Sequence, residues 1–194
     1  MILLPCSPIP VAYVPRRSAA YNRHATTITL GIHLLYIDTN MQIRYTAAID
    51  IDRKVSEDRL RQIVNTVEKL LQCRVVMICE TCKGYHLYID KYWYNPNRLI
   101  RLLTRLVKHV PEMDKYQVKL GIVRQRVSDL WMIVRIGGKY GKPDIDVTYD
   151  DIDSVSDPCH RNWLRDVKNL IQYLKTVDIW EIVKLWDIDV AWFR

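Results

Sequence analysis

The sequence predicts an α+β domain in which helices pack on a mostly antiparallel sheet. Three observations carry this reading. β-rich runs come in adjacent pairs, at 26–37 with 41–51 and at 74–80 with 85–89. Apolar residues recur at helical spacing after Ser56, Asn95 and Asp157. Short apolar runs near 117–124, 130–136 and 145–149 have the composition of further strands.

The elements follow in order. Residues 1–25 read as irregular, with prolines at 5, 8, 10 and 15. Asp38-Thr39-Asn40 is a turn signal, so 26–37 and 41–51 form a hairpin. Ser56 opens a helix whose stripe is Leu60, Ile63, Val64, Val67, Leu70 and Leu71. Asn95-Pro96 places a cap before proline at the first helical position. That helix buries Leu99, Leu102, Leu103, Leu106 and Val107. Its outer face carries Arg98, Arg101, Arg105 and Lys108, either as a solvated face or as one that tracks a phosphate backbone. Asp157-Pro158 opens a helix with Leu164, Val167, Leu170, Ile171 and Leu174, and a last helix falls near 178–187. Trp180, Trp186 and Trp192 fit packing of this end onto the domain, and the tail Val190–Phe193 reads as a segment able to dock a partner. The 194 residues suit a single domain, 1–194, with a core over 26–150 and a C-terminal helical appendage over 157–194.

Charge points to the partner class. Lys and Arg number 29 against 22 Asp and Glu, a net +7, which favours an anionic partner and nucleic acid first. No apolar run approaches the roughly 20 residues of a membrane span. The early prolines interrupt the apolar stretch a secretion signal needs. Five cysteines, at 6, 73, 79, 82 and 159, then read as mostly reduced thiols of a cytoplasmic protein.

Three constellations carry chemistry. In Ile49-Asp50-Ile51-Asp52 the two carboxylates share one face of a strand, about 6–7 Å apart, and a divalent cation or an arginine would offset their repulsion. In Thr81-Cys82-Lys83-Gly84-Tyr85-His86 a glycine turn feeds a strand whose second residue is histidine. Such a turn presents backbone N–H groups and Lys83 to a phosphate. In Arg135-Ile136-Gly137-Gly138-Lys139-Tyr140-Gly141-Lys142 three glycines are interleaved with cations, as close approach to an anionic ligand requires. Each also has a plain structural reading: a solvated strand end, a hairpin turn, a glycine-rich loop. The acidic run Asp144, Asp146, Asp150, Asp151 and Asp153 reads as a solvated edge strand, or as further metal ligands. Cys79-x-x-Cys82 lacks a second ligand pair, which makes zinc an unlikely cofactor.

These segments resemble the archaeo-eukaryotic primase superfamily, which includes primase small catalytic subunits and the primase-polymerases of plasmids and viruses. Ile49-Asp50-Ile51-Asp52 is similar to its first motif. Thr81-Cys82-Lys83-Gly84-Tyr85-His86 is similar to its second, with Thr-Cys in place of Ser-Gly. Arg135-Ile136-Gly137-Gly138 through Lys142 resembles its late arginine-glycine-lysine segment. The resemblance covers roughly residues 41–150. It implies a primase-polymerase-like fold with an RRM-like catalytic core. It implies Mg²⁺ or Mn²⁺ on Asp50 and Asp52, and nucleotide phosphates held by Lys83, His86, Arg135, Lys139 and Lys142. A single-stranded DNA template, nucleotides and a replication partner such as a helicase or large primase subunit are the implied partners. The implied role is DNA replication by template-directed nucleotidyl transfer.

One departure stands against this. Arg124 occupies the slot of the family's third metal-binding aspartate. An arginine beside Asp50 and Asp52 neutralises them without metal. Asp129 is a substitute carboxylate, but on a strand it would sit about 16 Å further along. The alternative is therefore a catalytically inactive primase-fold subunit that binds nucleic acid or assembles a replication complex.

Overall fold

A computed structural model describes residues 4–14, 29–128, 132–137, 145–177, 181, 183, 184 and 190–192, without the side chains of 12–14, 124–128 and 190–192. In chain order the elements are β1 (Pro10–Val14), β2 (Thr29–His33), β3 (Leu35–Ile37), β4 (Ile43–Tyr45), β5 (Ala48–Ile51), α1 (Glu57–Leu71), β6 (Val75–Glu80) and β7 (Tyr85–Ile89). Then come α2 (Pro96–His109), α3 (Lys115–Ser128), β8 (Ile133–Gly137), β9 (Asp146–Asp150), a 3-10 turn (Ile152–Ser154), α4 (Pro158–Tyr173) and β10 (Val190–Trp192). Among the described residues, four complete helices and largely antiparallel sheets make the fold α+β.

Two four-stranded sheets have the orders β10-β1-β2-β8 and β5-β7-β6-β9, and β3-β4 is a separate hairpin. Within these sheets the β1–β10 pair alone is parallel. In the β5-β7-β6-β9 sheet, alternation sorts the side chains. Ile49, Ile51, Leu87 and Ile89 lie on one face, and Asp50, His86, Tyr88 and Cys79 on the other. Burial of both faces explains why β7 reads almost as a continuous apolar run.

The helices form where caps and apolar stripes coincide. Ser56 Oγ accepts from Arg59 N to start α1, which buries Ile63, Val67 and Leu71. Asn95 caps α2 ahead of Pro96, and Asp157 caps α4 by accepting from His160 N. Trp163, Leu164 and Val167 bring α4 into the common core, and Leu174 packs on Gly137 of β8.

Several expectations need correction. The run 117–124 is not a strand; it lies inside helix α3. Val118, Ile122 and Val123 favour strands locally, but Val118, Gly121 and Ile122 at helical spacing form its inner side, and Gly121 closes on the Met132 side chain. The runs 26–37 and 41–51 are each divided. Leu34 leaves the β2 ladder, donates its N–H to Met132 O and accepts from Thr46 N. Only β3 and β4 form the hairpin around Asp38, whose carboxylate accepts from Asn40 N and Gln42 N and pairs with Arg44. The first 25 residues are not all irregular, since β1 pairs with β2. In the expected docking tail, Val190–Trp192 is β10, paired with β1. Of the helix expected near 178–187, Glu181, Val183 and Lys184 are described and helical; the rest, with Trp180 and Trp186, lies outside the described residues.

The thiols are also not all reduced. Cys6 and Cys159 form a disulfide across 153 residues of sequence, and Cys73, Cys79 and Cys82 are free. Alkylation without reductant should therefore modify three of the five cysteines in the unfolded protein. Reducing the bridge should lower stability by about 2–5 kcal/mol, as read by urea denaturation. A full count of five alkylated thiols would contradict the cross-link.

His160 is fully buried beside Tyr36, Tyr92 and Trp163, with ring centroids 5.5–6.0 Å away. Burial pushes its imidazole down to about 4, against the opposing pull of Asp157 and Asp90. The unfolded chain, with a histidine near pH 6.5, then binds the extra proton first. Stability should be complete above pH 6.5 and fall by roughly 3 kcal/mol as pH drops towards 4. His160→Phe should flatten that part of the profile; an unchanged slope would place the titrating group elsewhere.

Candidate metal centre

The site is built on β5 and β7. These strands pair antiparallel with Asp50 directly opposite His86, and His86 in turn stands opposite Cys79 of β6. His86 is buried, and its Nε2 lies 3.6 Å from Asp50 Oδ1.

The turn between β6 and β7 locks this register. Thr81 N donates to Gly84 O, and Thr81 Oγ1 accepts from Gly84 N. Gly84 then lies against the end of β5. A Cβ on this residue would stand 1.6 Å from Ile51 O and 2.9 Å from Arg53 N. The glycine is required by close approach of two backbones, and it brings the two motifs of the sequence into contact. Cys82 and Lys83 are exposed at the tip of the turn.

A third segment completes the site. Between α2 and α3 the chain pairs briefly with β5, Met113 opposite Ile51. Asp114 N donates to Asp50 O at 2.8 Å, and Asp52 N donates to Glu112 O at 2.9 Å. With Ile51 and Met113 facing the core, Asp50, Asp52 and Asp114 turn the other way. Each of the three offers a carboxylate oxygen within 4.8 Å of the others. Asp50 and Asp114 are half-buried and Asp52 is exposed. Three carboxylate oxygens form a hard donor set, suited to an oxygen-seeking divalent cation.

Glu112 anchors this segment without joining the cluster. Its carboxylate takes two hydrogen bonds from the Arg59 guanidinium, at 3.0 and 3.1 Å, and Arg53 approaches to 3.4 Å. The Arg59 hydrogen bonds hold the buried Glu112 carboxyl below its ordinary range. Arg59 belongs to α1, so α1 positions the loop that carries Asp114.

Sequence reasoning missed Asp114. The available signals were its place as a helix cap, where Asp114 Oδ1 accepts from Tyr116 N, and the alternation Glu112-Met113-Asp114. Expecting a strand at 117–124 hid both. Arg124 lies on α3 and not on a strand; its side chain is outside the described residues, as are Asp129, Lys139, Lys142 and Asp144. Arg135 is half-buried on β8, and its charge acts on the buried Tyr88 phenol, two residues beyond His86 on the same face. Burial raises that phenol well above its ordinary range, and Arg135 opposes the shift.

The other sequence candidates are accounted for differently. The acidic edge of β9 is neutralised by cations: Asp146 by Lys175, Asp150 by Lys168, Asp151 by Arg74 and Asp153 by Arg165. Burial pushes the Cys73 and Cys79 thiols up to about 12, so both stay protonated at neutral pH. Among the described residues no helix is long and apolar enough to cross a membrane.

No protein-family model, no curated protein and no solved structure matches the chain. The class that fold and site define is therefore stated from geometry: an α+β protein with a three-aspartate cluster able to bind a divalent metal.

Gly84→Ala should destabilise the protein by about 3 kcal/mol or more, because backbone and not a flexible side chain opposes the new methyl. The same variant should lose affinity for Mn²⁺, measured by calorimetry at a temperature where it remains folded. Unchanged stability would mean that the turn does not touch β5.

Proposed function

We propose that this chain is a primase-polymerase-like protein that transfers nucleotides to a strand on a template. The observation that carries the reading is the convergence of Asp50, Asp52 and Asp114 within 4.8 Å, with His86 beside Asp50. In this reading Asp50, Asp52 and Asp114 hold Mg²⁺ or Mn²⁺. The metal supplies charge stabilisation for attack of a 3′-hydroxyl on the α-phosphate and for departure of pyrophosphate. His86 donates to a phosphate oxygen from the sheet face next to the cluster, and Arg135 on β8 adds positive charge on the same side. Lys83, at the tip of the turn, extends towards the outer phosphates, and Lys139 and Lys142, which follow Gly137 in the sequence, add further positive charge. Asp114 supplies the third carboxylate that the Arg124 slot lacks, and this supports an active site over a degenerate one.

The test is template-dependent nucleotide incorporation in Mn²⁺, beside Mn²⁺ calorimetry. Wild type should incorporate. Asp50→Ala and Asp114→Ala should each lose at least about 100-fold in activity, with matching loss of metal affinity. Activity that appears only in Arg124→Asp would mean a site closed by the arginine. Silence in wild type and every variant would leave a subunit that binds or assembles without catalysis.

A further inference from the structure

Helices α2 and α3 together carry eight Lys or Arg and no Asp or Glu. This imbalance is local. The cations around β9 are ion-paired, whereas Arg98, Arg101, Arg105 and Lys108 of α2 are exposed and make no ion pair among the described residues. They occupy one side of the helix at spacings of three and four. The loop 110–114 joins this helix to α3 and is itself paired to β5. Both acid-free helices therefore meet the three-aspartate cluster at their connected ends.

The outer side of α3 adds a feature that charge alone does not explain. Tyr116, Leu120 and Val123 are 62, 51 and 56% exposed, at positions that share one face of the helix. Two ammonium groups flank the Tyr116 ring, Lys115 Nζ at 5.8 Å and Lys119 Nζ at 5.6 Å from its centroid. The Tyr116 backbone N–H donates to Asp114 at 2.7 Å, so the ring is tied to the rim of the cluster. From there the stripe runs about 10 Å along the helix to Val123.

We infer that this face of α3 seats a single-stranded polynucleotide, with one base stacked on Tyr116 and phosphates on Lys115 and Lys119. An unpaired base has the flat face that an exposed tyrosine fits, and its flanking phosphates satisfy the two ammoniums. A partner protein's apolar helix on the same stripe would strip water from both lysines and leave them uncompensated. The inference deepens the nucleotidyl-transfer reading, since it supplies the path of the strand past the aspartates, and it rests on that reading for the role of the strand.

The experiment is fluorescence anisotropy of a labelled oligo(dT) strand with the full chain, without divalent metal. Tyr116 is exposed, so its variants should fold, which circular dichroism checks. Tyr116→Ala should weaken binding about tenfold, and Tyr116→Trp should restore it. Lys115→Gln and Lys119→Gln should each lower the slope of log affinity against log salt by roughly 0.7. Mn²⁺ binding by wild type is measured alongside by calorimetry. If Mn²⁺ binding by wild type fails but the Tyr116 effect holds, the catalytic reading falls and the seat stands. If Tyr116→Ala binds like wild type, the seat is overturned whatever the metal does. Self-association that Leu120→Ser and Val123→Ser abolish, with oligonucleotide binding unchanged, would also overturn it in favour of a protein interface.

Discussion

The cross-strand pairing of Asp50 with His86 is the constraint on which the rest of the site depends. It fixes the register of β5 and β7, and a slip of β5 by one residue would turn Asp50 to the face that Ile49 and Ile51 now bury. Gly84 enforces that register from one side by packing against Ile51 O. The 112–114 segment enforces it from the other by pairing with the free edge of β5. Two close backbone approaches, with the Glu112–Arg59 pair holding the second of them, thus determine where three carboxylates meet.

Charge is distributed unevenly around this frame. Acidic residues outside the cluster tend to be matched: Glu112 by Arg59, Asp38 by Arg44, and the β9 edge by lysines and arginines of α4 and its surroundings. The cluster gathers three carboxylates beside a histidine. The helices flanking it carry cations without acids. Carboxylates gathered at one point, set beside helices that carry only cations, suit a small cation at the first and a polyanion along the second.

Much of the architecture was legible from sequence where two independent signals coincided. For α1, α2 and α4 a side-chain cap stands directly before an apolar stripe, and β6 and β7 are short apolar runs bounded by turn residues. The fold class follows from their order. Alternation along 41–51 placed Asp50 and Asp52 on one face, and His86 fell on the run that forms β7. Asp114 stands on no such run. Its place in the cluster depends on a two-residue bridge formed across more than sixty residues of chain, which no local pattern encodes. The strand composition of 117–124 was overridden in a helix that buries Val118 and sets Gly121 against the Met132 side chain. The β1–β10 pairing and the Cys6–Cys159 bridge are likewise products of distant segments meeting.

Those two distant seams also impose an order in time. Cys6 and β1 are made before the strands of the site, whereas Cys159 and β10 are made more than a hundred residues after Cys6 and β1. At about 5–20 residues per second the wait for Cys159 is roughly 8–30 seconds. The β5-β7-β6 sheet with its glycine lock is translated within that interval and can assemble while the early segment is still unattached. The β10-β1-β2-β8 sheet and its disulfide can close only afterwards, once the strands that carry the site have been made.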